Sequence, residues 1–459
     1  MNLPRVLIAG THSGCGKTAV SLGLLRAMFR RGLRTQAYKV GPDFIDPSLL
    51  SMAGGQPCRN LDSWMLPHPT VVELLARGAG GAQVAVIEGM MGLYDGRAGT
   101  GDEGSTAEVA RLLGTPVILV IDVGGSARSA AATALGFSAF DPQLNIAGVI
   151  ANRAGGARHV QTLREALASS RIPLLGAVPW DDRLRIPERH LGLAPLPEAS
   201  PEGAIEALGD AIAAHVDVDA VLRIARTAPP VVVEGPLAFP PIPGPFAARI
   251  GIARDEAFTF YYQDGLEMLE ALGARLIPFS PLHDRSLPEV DGLYLGGGFP
   301  ELYARDLAEN EPMRHAVAEA ISRGMPVYAE CGGMLYLTEE LIDGRRRAEM
   351  VGALPATARM HGRPVAFNYV TLEAETDTLL LRRGESVRGH ESHWSTVDLR
   401  GPVSIAYRAS DGEGIGDGRD GITTPTLLAA YTHVHFAAKP EMAERFIDAC
   451  RRFASHSPS

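Results

Sequence analysis

The chain has 459 residues, of which 46% are hydrophobic and 21% are charged, so it is long enough for large cores and for two or three domains. Its net charge of −10, without any run of lysine or arginine, disfavours nucleic acid and membrane surfaces as partners. No apolar run approaches the roughly 18 residues that span a bilayer, and the four cysteines are far apart, which favours a reducing compartment.

The N-terminal residues 6–9 form an apolar run that predicts a core strand rather than a signal peptide. We therefore expect a cytoplasmic protein.

A glycine-rich loop at 10–18 follows that strand and precedes a helix-like run at 19–28. Strand, loop ending in Gly-Lys-Thr, and helix form the context of a phosphate-binding loop, in which Lys17 can reach the outer phosphates and the Thr18 hydroxyl suits Mg²⁺. The usual glycine five residues before Gly16 is Thr11 here, and a glycine-rich turn with a chance Lys-Thr is the weaker alternative. The predicted nucleotide-binding residues are Thr11, His12, Ser13, Gly14, Cys15, Gly16, Lys17 and Thr18.

Two carboxylates follow the second predicted strand, 34–40. Asp43 and Asp46 lie among glycine and proline at the carboxyl end of that strand, which is where open α/β sheets bind ligands. Asp43 could hold Mg²⁺ and Asp46 could face a substrate, although an ordinary Asp-rich turn explains the same residues equally well.

The apolar strand at 84–88 ends in Glu88, and a glycine-rich loop follows at 89–96. An acidic residue at the tip of such a strand holds Mg²⁺ in many nucleotide sites, directly or through water. The strand at 117–122 ends in the same way, in Asp122, so Glu88 and Asp122 are alternative candidates for the residue that holds Mg²⁺. We favour Glu88 because the loop behind it suits a ligand, and interpret Asp122 as a structural residue.

Strand and helix patterns alternate through the rest of this half, with strands predicted at 145–153 and 174–179 and helices at 105–113, 160–169 and 202–225. Repeated β-α-β units predict a parallel sheet covered by helices on both faces. Asn152, at the end of one strand, could bond a purine edge or, equally well, cap a loop.

Proline is dense between 227 and 247, which predicts an extended linker because proline restricts the backbone and removes hydrogen-bond donors. We therefore expect a first domain at 1–226 and a second at 248–456.

A second α/β pattern begins after the linker. A predicted strand at 290–295 runs into a glycine-rich segment, and a strand at 326–330 runs into Cys331. A cysteine on a tight elbow between strand and helix favours a nucleophile over the more common buried core cysteine. The N–H of Gly332 and an N–H from Gly297 or Gly298 could form an oxyanion hole.

A nucleophilic thiol needs a base, and a predicted strand at 427–436 carries His433 and His435 on one face. We interpret His433 as the base and His435 as the residue that orients it. A second pair, His390 and His393, also ends a strand, and the four histidines with Cys331 could instead form a metal site. The lack of a tight ligand motif makes the metal site the weaker interpretation.

Several of these segments together resemble a known family. The loop at 10–18, with Thr11 in its unusual place, resembles the dethiobiotin synthetase branch of phosphate-binding-loop enzymes. The other segments, which resemble cobyrinate a,c-diamide synthases, are 39–47, 60–62, 88–96, 253–258, 295–301, 329–333 and 388–393. The resemblance covers nearly the whole chain.

The resemblance implies a carbon–nitrogen ligase of cobalamin biosynthesis, with a phosphate-binding-loop domain followed by a class I glutamine amidotransferase-like domain. ATP and Mg²⁺ would activate the a and c acetate carboxylates of hydrogenobyrinate or cobyrinate as acyl phosphates, and Cys331 would release ammonia from L-glutamine. Thr18, Asp43 and Glu88 would hold Mg²⁺, and ATP would bind to the loop at 11–18 and to Asn152. The residues near the corrin carboxylate would be Phe44, Ile45, Asp46 and Asp95.

The chain departs from ordinary class I amidotransferases, which follow the histidine with Pro-Glu, because Val434 and His435 stand there. The third member of the catalytic set is therefore open. The same chemistry on nickel-sirohydrochlorin, cobyric acid synthesis, and a regulatory ATPase with an inert C-terminal module are the alternatives, and a homodimer is one assembly that we leave open.

Overall fold

The computed structural model describes residues 1–97, 101–184, 186, 201–235 and 237–456. The chain divides into two compact units, Met1–Pro236 and Leu237–Ser459. The division lies inside the proline-rich segment 227–247, whose described residues form neither helix nor strand. Of the helices in the described ranges, none combines the length and the apolar character that a bilayer crossing requires.

The first unit contains one parallel sheet of seven strands, in the order β3-β2-β4-β1-β5-β6-β7. Its strands are β1 (Arg5–Gly10), β2 (Thr35–Val40), β3 (Arg59–Leu61), β4 (Val84–Glu88), β5 (Val117–Asp122), β6 (Ile146–Ala154) and β7 (Leu174–Pro179). The central strands β1 and β4 are buried at every position, as expected where helices cover both faces of a parallel sheet. The carboxyl ends of β1, β2 and β4 meet at one edge.

Eight described helices accompany this sheet: α1 (Lys17–Arg30), α2 (Ile45–Gly54), α3 (His68–Gly78), α4 (Thr106–Leu113), α5 (Ser129–Phe140), α6 (Ala157–Ala168), α7 (Pro201–His215) and α8 (Val218–Ala225). The prediction of one helix over 202–225 was wrong. The chain breaks at Val216 and Asp217, and the Asp217 side chain accepts the N–H of Ala220 to start a new helix.

The second unit contains a mixed ten-stranded sheet in the order β10-β8-β11-β13-β22-β21-β20-β17-β18-β23. The first five strands in that order are parallel and the rest are antiparallel. The strands are β8 (Ala248–Ala253), β9 (Phe258–Phe260), β10 (Ala274–Phe279), β11 (Gly292–Leu295), β12 (Gly297–Gly298), β13 (Val327–Glu330), β14 (Glu340–Asp343), β15 (Arg346–Glu349), β16 (Ala356–Met360), β17 (Ala366–Ala374), β18 (Ser386–His393), β19 (Ser395–Leu399), β20 (Ser404–Ser410), β21 (Arg419–Thr423), β22 (Leu427–Ala430) and β23 (His433–Val434).

A four-stranded sheet (β15-β14-β16-β19) and the small pair β12-β9 complete the strands. The helices are α9 (Gln263–Ala271), α10 (Ala304–Glu309), α11 (Glu311–Ser322), α12 (Gly332–Leu337) and α13 (Glu441–His456). An α/β fold with a parallel sheet in the N-terminal unit is thereby confirmed. The single strand predicted over 427–436 was wrong, because β22 ends at Ala430 and His433 belongs to the separate strand β23, which pairs with β18.

Candidate functional site

The phosphate-loop candidate leads from β1 into α1, as predicted. Gly16 has a φ of 100°, in the left-handed region that glycine tolerates, and α1 starts at Lys17. The side-chain nitrogen of Asn152 donates to the carbonyl of Cys15 at 2.9 Å. A Cβ on Gly16 would lie 1.9 Å from that nitrogen, so only glycine fits there. The structure therefore brings Asn152 against the loop.

A network of charged groups lies beside this loop. The Thr18 hydroxyl donates to Glu88 Oε1 at 2.7 Å, and Lys39 Nζ lies 2.8 Å from the same oxygen. Lys39 Nζ also lies 2.6 Å from Asp46 Oδ2 and 3.8 Å from Asp43 Oδ2. The predicted residues Thr18, Asp43, Asp46 and Glu88 are thus assembled around a lysine.

Lys39 is a residue that the sequence interpretation missed. It lies on β2 one residue before the strand ends, and only 5% of its side chain is exposed. Burial alone would lower the pKa of Lys39, but Asp46, Glu88 and Asp43 outweigh that effect and raise it well above its ordinary value. The residue is an ammonium ion inside the site. A charged residue near the tip of a buried strand is the signal that could have indicated it.

The donor set fits a Mg²⁺ ion. Glu88 Oε2 is buried without a hydrogen-bond partner among the described residues, whereas Oε1 is bonded to Thr18 and Lys39. Carboxylate and hydroxyl oxygens are the protein ligands that Mg²⁺ prefers, and the ion usually keeps several waters and phosphate oxygens besides. Burial and the neighbouring Asp46 raise the pKa of Asp43 to about 7, so Asp43 is the weaker of the predicted ligands.

We expect Lys39→Met to destabilise the fold, because it leaves the fully buried Glu88 carboxylate without its cation. Breaking a buried ion pair by removing one partner costs about 3–5 kcal/mol. Thermal and urea unfolding of the purified protein measure this loss. Adding Glu88→Gln to Lys39→Met should recover part of it, since the double variant no longer buries the unpaired charge. A single variant as stable as the wild type would contradict the expectation.

The remaining N-terminal candidates lie around the same strand ends. Phe44 precedes α2 and Ile45 begins it, and the Ile45 N–H donates to Asp43 at 2.8 Å. Asp95 is exposed in the loop after β4 and accepts the N–H of Gly92 at 2.9 Å. Asp122, the rival of Glu88, instead pairs with Arg153 at 2.5 Å.

A cavity of roughly 300 Å³ adjoins the loop. Gly14, Gly16, Lys17 and Thr18 line one part of it, and residues that include Asn152 line another. Its volume is at the lower end of the range for small-molecule sites.

The second candidate centre lies where β13 meets α12. Cys331 has a φ of 45°, a strained value for a residue other than glycine, and it links the end of β13 directly to the start of α12. Its N–H donates to the carbonyl of Ala430 at 2.8 Å. The predicted tight elbow is therefore present.

The predicted oxyanion glycines lie beside this elbow. A Cβ on Gly332 would lie 2.9 Å from the backbone nitrogen of Gly298. A Cβ on Gly297 would lie 2.6 Å from Cε1 of His433 and 3.3 Å from its Nε2. The structure thus brings the three glycines and the predicted base together.

His433 lies between two groups, one of which the sequence interpretation missed. It is hydrogen-bonded to Cys331, and its Nδ1 lies 3.5 Å from Oε2 of Glu330. His433 also faces His390 on β18, with ring centroids 5.1 Å apart. Burial alone would lower the pKa of His433, but Cys331 and Glu330 outweigh it and raise the pKa to about 10.

His435 does not orient His433, contrary to expectation. Its Nδ1 accepts the N–H of Ala437 at 3.1 Å, its Nε2 has no hydrogen-bond partner in the described part of the chain, and its ring stacks on Tyr262. The alternation of strand side chains does not apply because β23 ends at Val434 and His435 caps the following turn. Burial lowers the pKa of His435 to about 3, so the ring is neutral.

The histidines do not form a metal site with Cys331. Within the described ranges, no group of three or more His, Cys, Asp or Glu residues is arranged to hold a metal. His393 instead bonds the carbonyl of Ser395 at 2.8 Å and stacks on Tyr431.

Comparison with known proteins matches both units. Residues 6–193 match the CobQ/CobB/MinD/ParA nucleotide binding domain, and residues 249–441 match the CobB/CobQ-like glutamine amidotransferase domain. The cobyrinate a,c-diamide synthase of Dehalococcoides mccartyi (strain CBDB1) is 42% identical over 462 residues, which cover 99% of this chain and 100% of that protein. Proteins of the same name from Syntrophotalea carbinolica (43% identical, 98% of this chain and 99% of that protein) and Archaeoglobus fulgidus (42%, 97% of each) are also similar. The chain therefore belongs to the cobyrinate a,c-diamide synthase family, as the sequence motifs indicated.

Proposed function

We propose that this protein is a ligase that amidates the a and c acetate carboxylates of hydrogenobyrinate or cobyrinate in the cytoplasm, as a step of cobalamin biosynthesis. In the first step ATP phosphorylates a carboxylate, which gives an acyl phosphate and ADP. Glutamine is hydrolysed to glutamate and ammonia, and ammonia displaces phosphate to form the amide. The observation that carries the proposal is the similarity to relatives named cobyrinate a,c-diamide synthase, which covers 97–99% of this chain.

The acyl phosphate solves a chemical problem. A carboxylate is a poor acyl donor because its leaving group would be oxide, whereas phosphate leaves readily. Phosphoryl transfer depends mainly on positioning and on neutralising the charge of the phosphates. We assign this step to the unit with the phosphate loop, within a domain at 1–226.

In this proposal Lys17 and the backbone of the loop at 11–18 bind the ATP phosphates, and Asn152 supports the loop and adjoins the nucleotide. Thr18 and Glu88, with Asp43 as a further candidate, would hold Mg²⁺, which when bound neutralises phosphate charge. Lys39 provides a second fixed cation among these carboxylates. The residues placed nearest the substrate carboxylate are Phe44, Ile45, Asp46 and Asp95.

The domain at 248–456 would supply the ammonia. Cys331 attacks the side-chain carbonyl of glutamine, and His433 accepts the thiol proton and returns it to the departing ammonia. Backbone N–H groups of Gly332 and of Gly297 or Gly298 stabilise the oxyanion. Water then hydrolyses the thioester to release glutamate.

The experiment that tests the proposal is mass spectrometry of products formed with ATP and amide-¹⁵N glutamine. Hydrogenobyrinate, cobyrinate and nickel-sirohydrochlorin are offered separately, with omission of ATP as the control. We expect two ¹⁵N-labelled amides on hydrogenobyrinate or cobyrinate. Double labelling of nickel-sirohydrochlorin alone would overturn the assignment of the substrate, and amidation without ATP would overturn the acyl-phosphate mechanism.

A further inference from the structure

We propose that Glu330, the residue immediately before Cys331, is the carboxylate that positions the base His433. The inference rests on the proposed glutaminase role of Cys331 and His433, and it names the third member of that site. Where ordinary class I amidotransferases carry the orienting glutamate, this chain has His435, whose Nδ1 accepts the N–H of Ala437 and whose Nε2 has no hydrogen-bond partner among the described residues.

The contact engages the correct side of the imidazole. Glu330 Oε2 lies 3.5 Å from Nδ1 of His433, whereas Nε2 faces the glycine segment, where a Cβ on Gly297 would lie 3.3 Å away. A carboxylate at Nδ1 selects the tautomer in which Nε2 is free to take a proton from the nucleophile. Contacts of this kind are often long before substrate binds and shorten in the reactive complex.

The Glu330 carboxylate is held by three hydrogen bonds. Oε1 accepts the hydroxyl of Tyr328 and the N–H of Val434 (3.1 Å), and Oε2 accepts the hydroxyl of Tyr294 at 2.9 Å. The residue is 1% exposed. Its partners lie on β11, β13 and β23, so the carboxylate cannot turn away from the base without breaking bonds to three strands. A buried group held this firmly can fix the position of another side chain.

The charges around His433 agree with this role. The titratable groups that face it are Cys331 and Glu330 on the β13 side and His390 on β18. Burial and the proximity of His433 lower the pKa of His390 well below its ordinary value, so His390 is neutral. Cys331 and Glu330 therefore both favour the imidazolium, the form that results when His433 takes the proton of Cys331.

A purely structural role is the rival explanation, since the same carboxylate ties strands together. Three variants of the full chain separate the two: Glu330→Gln, Glu330→Asp, and Glu391→Gln as a matched control. Glu391 is another fully buried carboxylate of this unit, and it accepts the N–H groups of Glu413 and Gly414. Its substitution measures the cost of losing a buried carboxylate whose partners are Glu413, Gly414 and His393 rather than His433.

Two measurements are made on each variant. One is glutaminase activity, as kcat and KM. The other is the rate of alkylation of Cys331 by iodoacetamide as a function of pH, followed by peptide mass spectrometry.

We expect Glu330→Gln to lower kcat about a hundredfold or more with KM nearly unchanged, because loss of an orienting carboxylate acts on the base rather than on binding. The alkylation curve should move to higher pH, because without Glu330 the imidazolium that supports the thiolate is less stable. Glu330→Asp should restore part of kcat and of the curve, and Glu391→Gln should leave the curve in place.

A folded Glu330→Gln variant with wild-type kcat and an unmoved alkylation curve would overturn the proposal, as would a greater loss of kcat from His435→Gln. If Glu330→Gln does not fold, the Glu330→Asp variant decides: a reduced kcat with an unchanged KM supports the positioning role, and wild-type values overturn it.

Failure of the proposed function would give a different result. The wild type would then hydrolyse no glutamine, whereas the alkylation curves would still report whether Glu330 acts on Cys331 through His433.

Discussion

Replacing Cys331 with alanine is expected to abolish glutamine-dependent amidation and to leave ammonia-dependent amidation intact. In the proposed mechanism the thiol forms the covalent bond to glutamine, and no other group in the described part of the second unit occupies the elbow between β13 and α12. Loss of a catalytic nucleophile lowers kcat by about a thousandfold or more. If the carboxylate is activated by ATP as proposed, amidation with ammonium chloride does not need the thiol.

The measurement compares both nitrogen sources on one enzyme preparation, at an alkaline pH at which free ammonia is available. Cys450→Ala is the matched control, because Cys450 is also a fully buried thiol of the second unit but lies on α13. That variant should retain both activities. Loss of ammonia-dependent amidation in a folded Cys331→Ala variant would contradict the division of labour between the two units.

Replacing Glu88 with glutamine should stop amidation with either nitrogen source while glutamine hydrolysis remains detectable. Glu88 is fully buried at the tip of β4, accepts the Thr18 hydroxyl and carries a second carboxylate oxygen without a hydrogen-bond partner among the described residues. A neutral amide is a poorer Mg²⁺ ligand than a carboxylate, and it no longer balances Lys39. We expect amidation to fall by about a hundredfold or more, because phosphoryl transfer depends on this charge arrangement.

Asp122→Asn is the matched control for Glu88. Asp122 ends β5 as Glu88 ends β4, but it pairs with Arg153 and accepts the N–H of Gly124. Its substitution should reduce amidation much less. An equal loss in both variants would contradict the preference for Glu88 over its rival Asp122, and an unimpaired Glu88→Gln variant would remove Glu88 from the site.

Both variants are best tested together with the magnesium dependence of ATP use. If Glu88 helps to hold the ion, Glu88→Gln should require a higher magnesium concentration for half-maximal activity, whereas Asp122→Asn should not. Residual activity of Glu88→Gln that does not respond to magnesium would argue against a ligand role.

Much of the N-terminal candidate site could be anticipated from the sequence, because its parts follow local rules. A phosphate loop is a continuous segment, and Glu88 is marked by its place at the tip of an apolar strand. Since β1 and β4 are parallel neighbours, their carboxyl ends must meet, which brings Glu88 to Thr18. Lys39 was missed because its buried partner Glu88 lies 49 residues away along the chain, and no local pattern pairs the two residues.

The amidotransferase site shows why local rules fail elsewhere. Adjacent residues of a regular strand point to opposite faces, so the strand pattern alone does not bring Glu330 and Cys331 to one site. The chain leaves β13 at Cys331 with a φ of 45°, however, and both residues contact His433. The same rule placed His433 and His435 on one face, and it failed because the strand ended between them.

The sequence by itself determined the α/β class and the family, and it predicted the phosphate loop and the nucleophile elbow, because each of these depends on contiguous motifs or on their order along the chain. The tertiary structure decided which charges meet: Lys39 with Glu88 and Asp46, and Glu330 with His433. The physical reason is that a buried ionisable group is stable only with a partner. Which partner it meets depends on the order of the strands in the sheet and on the direction in which the chain leaves each strand. Residue spacing along the sequence does not specify either of these.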